Sequence, residues 1–230
     1  MRLTFPVALL LTMLSFTAPA ETTREEGFTA MFDGETLEGW SGKPDGWWVE
    51  DGALTSESTE ENPCVKHHYL FWDDGQPGDF ILRFEYRITG GNSGVQIRSE
   101  KRPDYDVWGY QADIDAEGQW TGCLFQHDRG AVVERGFKAV ITEDGTRTDK
   151  PIADPKVLLK AVKQDQWNTY EVTARGNTIT LSINGTLMCT VEDRDATLSR
   201  DKGHIALQMH PGPPMKVQFR NLRIKLLDQN

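Results

Sequence analysis

Three short stretches carry side chains of one chemical kind at one spacing: "GGNSGVQIRS" (90–99), "GYQADID" (109–115) and "HIALQMH" (204–210). In the first, Val95 and Ile97 alternate with Gln96 and Arg98. In the second, Tyr110, Ala112 and Ile114 alternate with Gln111, Asp113 and Asp115. In the third, Ile205, Leu207 and Met209 alternate with Ala206, Gln208 and His210. A period of two sends the apolar row to a core and the other row to the opposite face of a sheet. A strand face that only meets water usually carries Lys, Glu and Thr. Amide, carboxylate, guanidinium and imidazole groups instead suit a ligand dense in hydroxyls, because they donate and accept hydrogen bonds in pairs. The three rows therefore read as a floor that binds sugar, and the third runs into a proline-rich loop, "HPGPP" (210–214).

Strands must position this floor, and the same periodicity dominates the chain. In "DFILRFEYRITG" the residues Phe80, Leu82, Phe84, Tyr86 and Ile88 face one way, and Arg83, Glu85 and Arg87 the other. "WNTYEVTARGNTITLSINGTLMCTVE" reads as a meander with turns at Gly176-Asn177 and Asn184-Gly185, where Asn-Gly supplies the positive φ angles of a tight hairpin. The parity of "MKVQFRNLRIKLL" changes at Arg220-Asn221, which predicts a bulge. Helical spacing is confined to residues 154–163, with Asp154-Pro155 at the N-terminus, and residues 142–153 read as a loop. Many short strands and little helix predict an all-β sandwich.

The first twenty residues differ from the rest. One charge, Arg2, precedes an apolar run from Phe5 to Phe16, and Ala18-Pro19-Ala20 supplies small residues for a signal peptidase. This predicts a leader over residues 1–20, a single domain over 21–230, and a secreted or periplasmic protein that does not insert in the membrane once cleaved. The chain's 25 basic and 35 acidic side chains give a formal net charge of −10, a poor surface for nucleic acid. A neutral carbohydrate is the simplest partner. Cys64, Cys123 and Cys189 are odd in number and too widely spaced for a zinc site, and they read as buried free thiols.

Beyond periodicity, "GFTAMFDGETLEGW" (27–40), "WWVEDGALTS" (47–56), "NSGVQIRS" (92–99), "GYQADI" (109–114), "TGCLF" (121–125) and "FRNLRIK" (219–225) follow one another in order. Together they resemble the secreted 3-keto-disaccharide hydrolase family, also described as 3-keto-α-glucoside-1,2-lyase/3-keto-2-hydroxy-glucal hydratase. The resemblance spans nearly all of residues 21–230. It implies a concanavalin A-like jelly roll of two packed antiparallel sheets, with sugar chemistry on one sheet face. Where many members carry Glu-x-Gln, this chain has Gln111-x-Asp113, so its acid stands one floor position away.

Ordinary glycoside hydrolysis uses two carboxyl groups roughly 5 to 9.5 Å apart. No Glu-x-Asp-x-x-Glu run places such a pair on one strand here. A 3-keto sugar asks for less, because its ketone acidifies the C2 hydrogen. One base then removes that hydrogen, the C1 oxygen leaves, and water adds to the enone. For this route Asp113 or His210 is the candidate base, and Arg98 the candidate stabiliser of the enolate. Gln96, Gln111 and Gln208 would hold hydroxyls, and His127 and Arg129 would donate to the leaving group. No cofactor is evident. Asp113, Asp115 and His210 are ligand types for a divalent metal but share no short motif. The alternative function is a non-catalytic carbohydrate-binding module using exposed aromatics among Trp47, Trp48, Trp72, Trp108 and Trp120.

Overall fold

The computed structural model describes residues 25–228. The leader expected over residues 1–20 lies outside them. In chain order the strands begin with β1 (Thr29–Ala30), β2 (Trp40–Gly42), β3 (Trp48–Glu50), β4 (Ala53–Ser58), β5 (His68–Trp72) and β6 (Phe80–Thr89). The middle of the chain forms β7 (Asn92–Arg102), β8 (Asp106–Asp115), β9 (Leu124–Gln126), β10 (Gly130–Val133), β11 (Phe137–Ile141) and β12 (Arg147–Pro151). After the short helix α1 (Pro155–Leu159) come β13 (Asn168–Arg175), β14 (Thr178–Ile183), β15 (Thr186–Asp193), β16 (His204–Met209) and β17 (Met215–Leu226).

These strands form two sheets. A ten-stranded sheet runs β12-β11-β15-β14-β13-β6-β17-β4-β3, with β1 paired to β17, and a seven-stranded sheet runs β10-β9-β8-β7-β16-β5-β2. Pairing is antiparallel except between β11 and β15. The apolar rows read from the sequence meet in the space between the sheets. Phe80, Leu82, Phe84 and Tyr86 of one sheet share a buried core with Val95, Ile97, Tyr110, Ala112, Ile114, Leu207 and Met209 of the other. Each large aliphatic or phenyl side chain among them contributes about 1.5–3 kcal/mol by leaving water, which fixes the register that sends the alternate residues outward. The result is an all-β jelly-roll sandwich of two largely antiparallel sheets. No helix among the described residues is long and apolar enough to cross a membrane.

Local expectations fare unevenly. Asn184 and Gly185 take φ of 49° and 76° at the β14–β15 turn, and β17 slips register between Arg220 and Arg223 around Asn221, at φ 52°. The helix is shorter than its spacing suggests. Asp154 caps it by accepting from Lys156 N at 2.8 Å, but it ends at Leu159, after which Ala161 and Val162 turn towards the core. The stretch read as a loop over 142–153 contains β12, an exposed edge strand with no buried residue and so no alternation to read. Cys123 and Cys189 are buried and Cys64 is half-buried, all as free thiols.

The outer faces of the two sheets differ in kind. That of the ten-stranded sheet is crossed by ion pairs such as Arg83–Glu171 (2.6 Å), Arg220–Glu85 (2.7 Å) and Lys216–Glu50 (2.6 Å), an ordinary solvated surface. That of the seven-stranded sheet carries buried amides and a carboxyl group.

Candidate active site

Strand register builds the floor of this second face row by row. Phe71, Ala206, Gln96, Gln111 and Phe125 are successive cross-strand partners through β5, β16, β7, β8 and β9. In the adjacent row Tyr69 pairs with Gln208, and Gly94 with Asp113. A cleft of about 650 Å³ opens over the second row. Gln111, Asp113 and Gln208 form its floor, His67, Phe125 and His127 one wall, and Trp120 and the loop from Asp115 one end. His210, Pro211 and Pro213 form the other end. Beyond Gln96 the face is closed, because the β7–β8 hairpin folds back over it. Tyr69 N donates to Tyr105 O at 3.1 Å, Val107 packs with Tyr69, Phe71 and Ala206, and the Lys101 ammonium lies 4.5 Å from the Phe71 ring centre.

A chain of hydrogen bonds orders the floor. Gln96 Nε2 donates to Gln111 Oε1 (2.8 Å), and Gln111 Nε2 donates to Asp113 Oδ1 (2.6 Å) and Gln208 Oε1 (3.1 Å). Gln208 Nε2 then donates to Tyr69 Oη at 2.8 Å. Both hydrogens of the Gln111 amide are thereby in use, so Gln111 positions Asp113 and is not free to hold a hydroxyl. Gln96 is fully buried, accepts from Ser99 Oγ at 2.8 Å, and lies where the hairpin closes the face, away from the cleft. Of the three glutamines expected to hold sugar hydroxyls, Gln208 keeps unused capacity at the cleft. Gly94 makes this packing fit, since a Cβ there would lie 2.6 Å from Gln111 Cγ.

Asp113 is 4% exposed. Burial raises its carboxyl to about 8, the neighbouring Asp115 charge adds to the rise, and the Gln111 hydrogen bond opposes it. Asp113 is therefore a neutral acid at pH 7, its proton on Oδ2 because Oδ1 accepts from Gln111. His210 differs. Its Nδ1 lies 2.6 Å from the Pro211 carbonyl, which can only accept, so Nδ1 carries the hydrogen and Nε2 is left with the lone pair. The cleft thus holds a protonated acid and an imidazole in the tautomer of a base.

Two expected site residues are elsewhere. Arg98 does not share the face of Gln96, because β7 bulges between Ile97 and Glu100 and Arg98 takes φ 47°. Its guanidinium turns towards the ten-stranded sheet and donates to Gly78 O (2.9 Å), Gly176 O (2.7 Å) and Asp79 Oδ1 (3.0 Å), which makes it a buried tie between the sheets. Arg129 donates to Gln126 Oε1 (2.9 Å) and Asp193 Oδ2 (2.6 Å), in a network that Tyr110 Oη joins at 2.6 Å. Neither arginine lines the cleft. His127 does line it, with its basicity lowered first by burial and then by His67.

Asp115 is at the cleft, but its oxygens are occupied. It accepts from the amides of Gln119 (2.8 Å), Trp120 (3.0 Å) and Thr121 (2.7 Å) and from Thr121 Oγ1 (2.7 Å), which clasps the loop. Arg135 holds the loop from behind through the carbonyls of Thr121 and Gly118. No group of three or more His, Cys, Asp or Glu among the described residues has metal-binding geometry. Sequence reasoning overlooked Tyr69, Phe125 and His67. Both parities of "HHYLFW" are aromatic or apolar, so nothing there marks which row faces out.

The family model for the 3-keto-alpha-glucoside-1,2-lyase-like domain matches residues 27–225. The chain belongs to this family. The match runs from just before β1 to the penultimate residue of β17, so both sheets of the lyase-like domain fall within it. No curated protein matches the sequence. Among solved structures, a proposed glycosyl hydrolase from Parabacteroides distasonis is 21% identical, covering 87% of this chain and 99% of its own, with a TM-score of 0.60. The carbohydrate binding module CBM66 from Bacillus subtilis is 14% identical, covering 86% and 95%, with a TM-score of 0.52. A β-glucanase from Bacillus licheniformis is 10% identical, covering 87% and 97%, also at 0.52. At these identities the likeness is one of fold.

Proposed function

We propose that this lyase-like domain cleaves 3-keto-glucosides by C2 proton abstraction, loss of the C1 oxygen and hydration of the resulting enone. The observation that carries the reading is the pairing of a neutral, buried Asp113 with a lone-pair-bearing His210 Nε2 at one cleft. A buried carboxyl that keeps its proton and an imidazole whose Nε2 is left free to accept one supply an acid and a base at one cleft. His210 takes the C2 proton, and Asp113 Oδ2–H donates to the ketone oxygen as negative charge develops there. Asp113 thus has the task first assigned to Arg98, and His210 is the base. The C2–H electrons form the C2–C3 double bond of the enolate; as the ketone re-forms, that pair becomes the C1–C2 double bond and the C1–O pair leaves with the departing oxygen. Gln208, held by Tyr69 Oη, binds a hydroxyl of the same ring, and Trp120 and Phe125 offer apolar faces for its C–H groups.

With the leader expected at the N-terminus, the setting is periplasmic or extracellular. The test is incubation of the protein in deuterated water with a 3-keto-glucoside and with its unoxidised parent. Cleavage of the keto sugar alone, with deuterium at C2, is the expected result. Binding of glycan without turnover would instead favour a carbohydrate-binding module. Trp120, 37% exposed at the cleft, is the feature that suits that second reading, whereas Trp47, Trp72 and Trp108 are buried.

A further inference from the structure

Elimination needs a proton for the departing oxygen, and the cleft wall of His67, Phe125 and His127 holds an ion pair outside the acid and base already assigned. His67 lines the cleft, and its Nε2 lies 2.9 Å from Asp106 Oδ1, with both side chains about 30% exposed or less. Asp106 is fixed in turn, since its Oδ1 accepts from Val107 N at 2.7 Å. The ring of His67 sits between Tyr69 of the floor (centres 5.8 Å apart) and His127 (6.0 Å). The pair comes from distant parts of the fold. His67 precedes β5, and Asp106 begins β8 at the tip of the hairpin that folds over the sheet face. The bulge at Arg98 bends that hairpin, so the arginine that left the site is also what anchors one side of it.

We infer that His67 is the general acid that protonates the departing C1 oxygen, held in its working tautomer by Asp106; the assignment rests on the proposed elimination. A carboxylate only accepts, so Nε2 carries the hydrogen between the two residues, and Nδ1 is the nitrogen that gains and gives the exchangeable proton. In the forward step the C1–O bond breaks, the oxygen keeps the bonding pair, and the Nδ1 proton moves to it, leaving neutral imidazole. During hydration the same nitrogen takes a proton from the water that adds to C1, which restores the imidazolium. His127, the nearer alternative by sequence, lacks a carboxylate on its ring: its Nδ1 is buried without a protein partner among the described residues, and burial favours its neutral form. Asp106 is a positioning residue.

The test compares two 3-keto-glucosides, one with a 4-nitrophenyl leaving group and one with methyl, on wild type, His67→Asn and Asp106→Asn. Nitrophenolate leaves without protonation, whereas methoxide does not. For His67→Asn the expected kcat/KM loss is about 10²-fold or more on the methyl glycoside and under about tenfold on the nitrophenyl one, with C2 deuterium exchange retained. Asp106→Asn shows the same leaving-group dependence at smaller size. Equal losses on both substrates would overturn the role of His67 while leaving the elimination intact. A wild type inert towards both would remove the elimination, and His67 with it.

Discussion

Asp113 and Asp115 stand two residues apart on one face of β8, and their surroundings give them opposite work. Asp115, at the strand end, accepts from three backbone amides and a hydroxyl, so its charge is matched by donors and it builds a loop. Asp113, in the middle of the floor, accepts from one side-chain amide and is left to hold a proton. Identity and parity are the same, and the number of local donors decides. Carboxylates at strand ends meet the free N–H groups of turns, whereas mid-strand amides are already committed to the ladder.

The largest expected effect breaks that contrast at its reactive member. Asp113→Asn should lower kcat on 3-keto-glucosides by about 10³-fold while leaving the fold at least as stable, because it removes a buried ionisable group. The pH dependence has a definite sign. Folded Asp113 titrates near 8 against an ordinary value of 3.8, so between these values the folded state binds more protons than the unfolded. Its contribution to stability is fullest at the acid end, falls as pH rises through that window, and levels off above about 8. Urea titrations from pH 4 to 9 should show wild type losing stability relative to Asp113→Asn across that interval. A constant difference would mean that Asp113 is ionised throughout.

Arg98 sharpens the same comparison, since it too is a polar group whose partners are all supplied by the fold. Arg98→Met should cost about 3 kcal/mol in denaturation, because Asp79 loses its buried guanidinium and the carbonyls of Gly78 and Gly176 lose their donors. Asp115→Asn should follow at about 2 kcal/mol, since an amide oxygen cannot accept from all the donors that the carboxylate serves. In the second variant KM should rise more than kcat falls, because the loop carries Trp120 into the cleft. If Asp115→Asn left stability untouched while Asp113→Asn unfolded the protein, the division of labour between the two acids would be reversed.

How far the sequence could be read follows the same line. Parity located the long strands, the bulge in β17 and the floor strands, because burial enforces alternation over many residues. The glutamine, aspartate and histidine rows were visible for that reason. Arg98 was misread because a bulge inverts parity, and the positive φ that makes it occurs at an arginine, with no glycine at that position to announce it. Arg129 follows a tight turn where parity has no meaning. His67 and Asp106 were invisible in principle: they are 39 positions apart in sequence, and only the folding back of the hairpin brings them within 2.9 Å.

Gly94→Ala gives the smallest effect and the finest test of the floor. Its φ is not in the left-handed region, so alanine is tolerated by the backbone, and the added methyl is the whole perturbation. That methyl would lie 2.6 Å from Gln111 Cγ and 2.8 Å from its Nε2, so the Gln111 side chain must move. Movement breaks the donation to Asp113 Oδ1, which leaves Asp113 Oδ1 unpaired and lets the carboxyl rotate. The expected result is a roughly tenfold fall in kcat with about 1 kcal/mol of stability lost, both from one strained contact. The alkaline limb of the pH–rate profile should also move upward, because the hydrogen bond that Gln111 gives opposes the rise caused by burial. An unchanged limb alongside reduced kcat would place the effect in substrate fit above the floor, and would separate Gln111's hold on Asp113 from the chemistry.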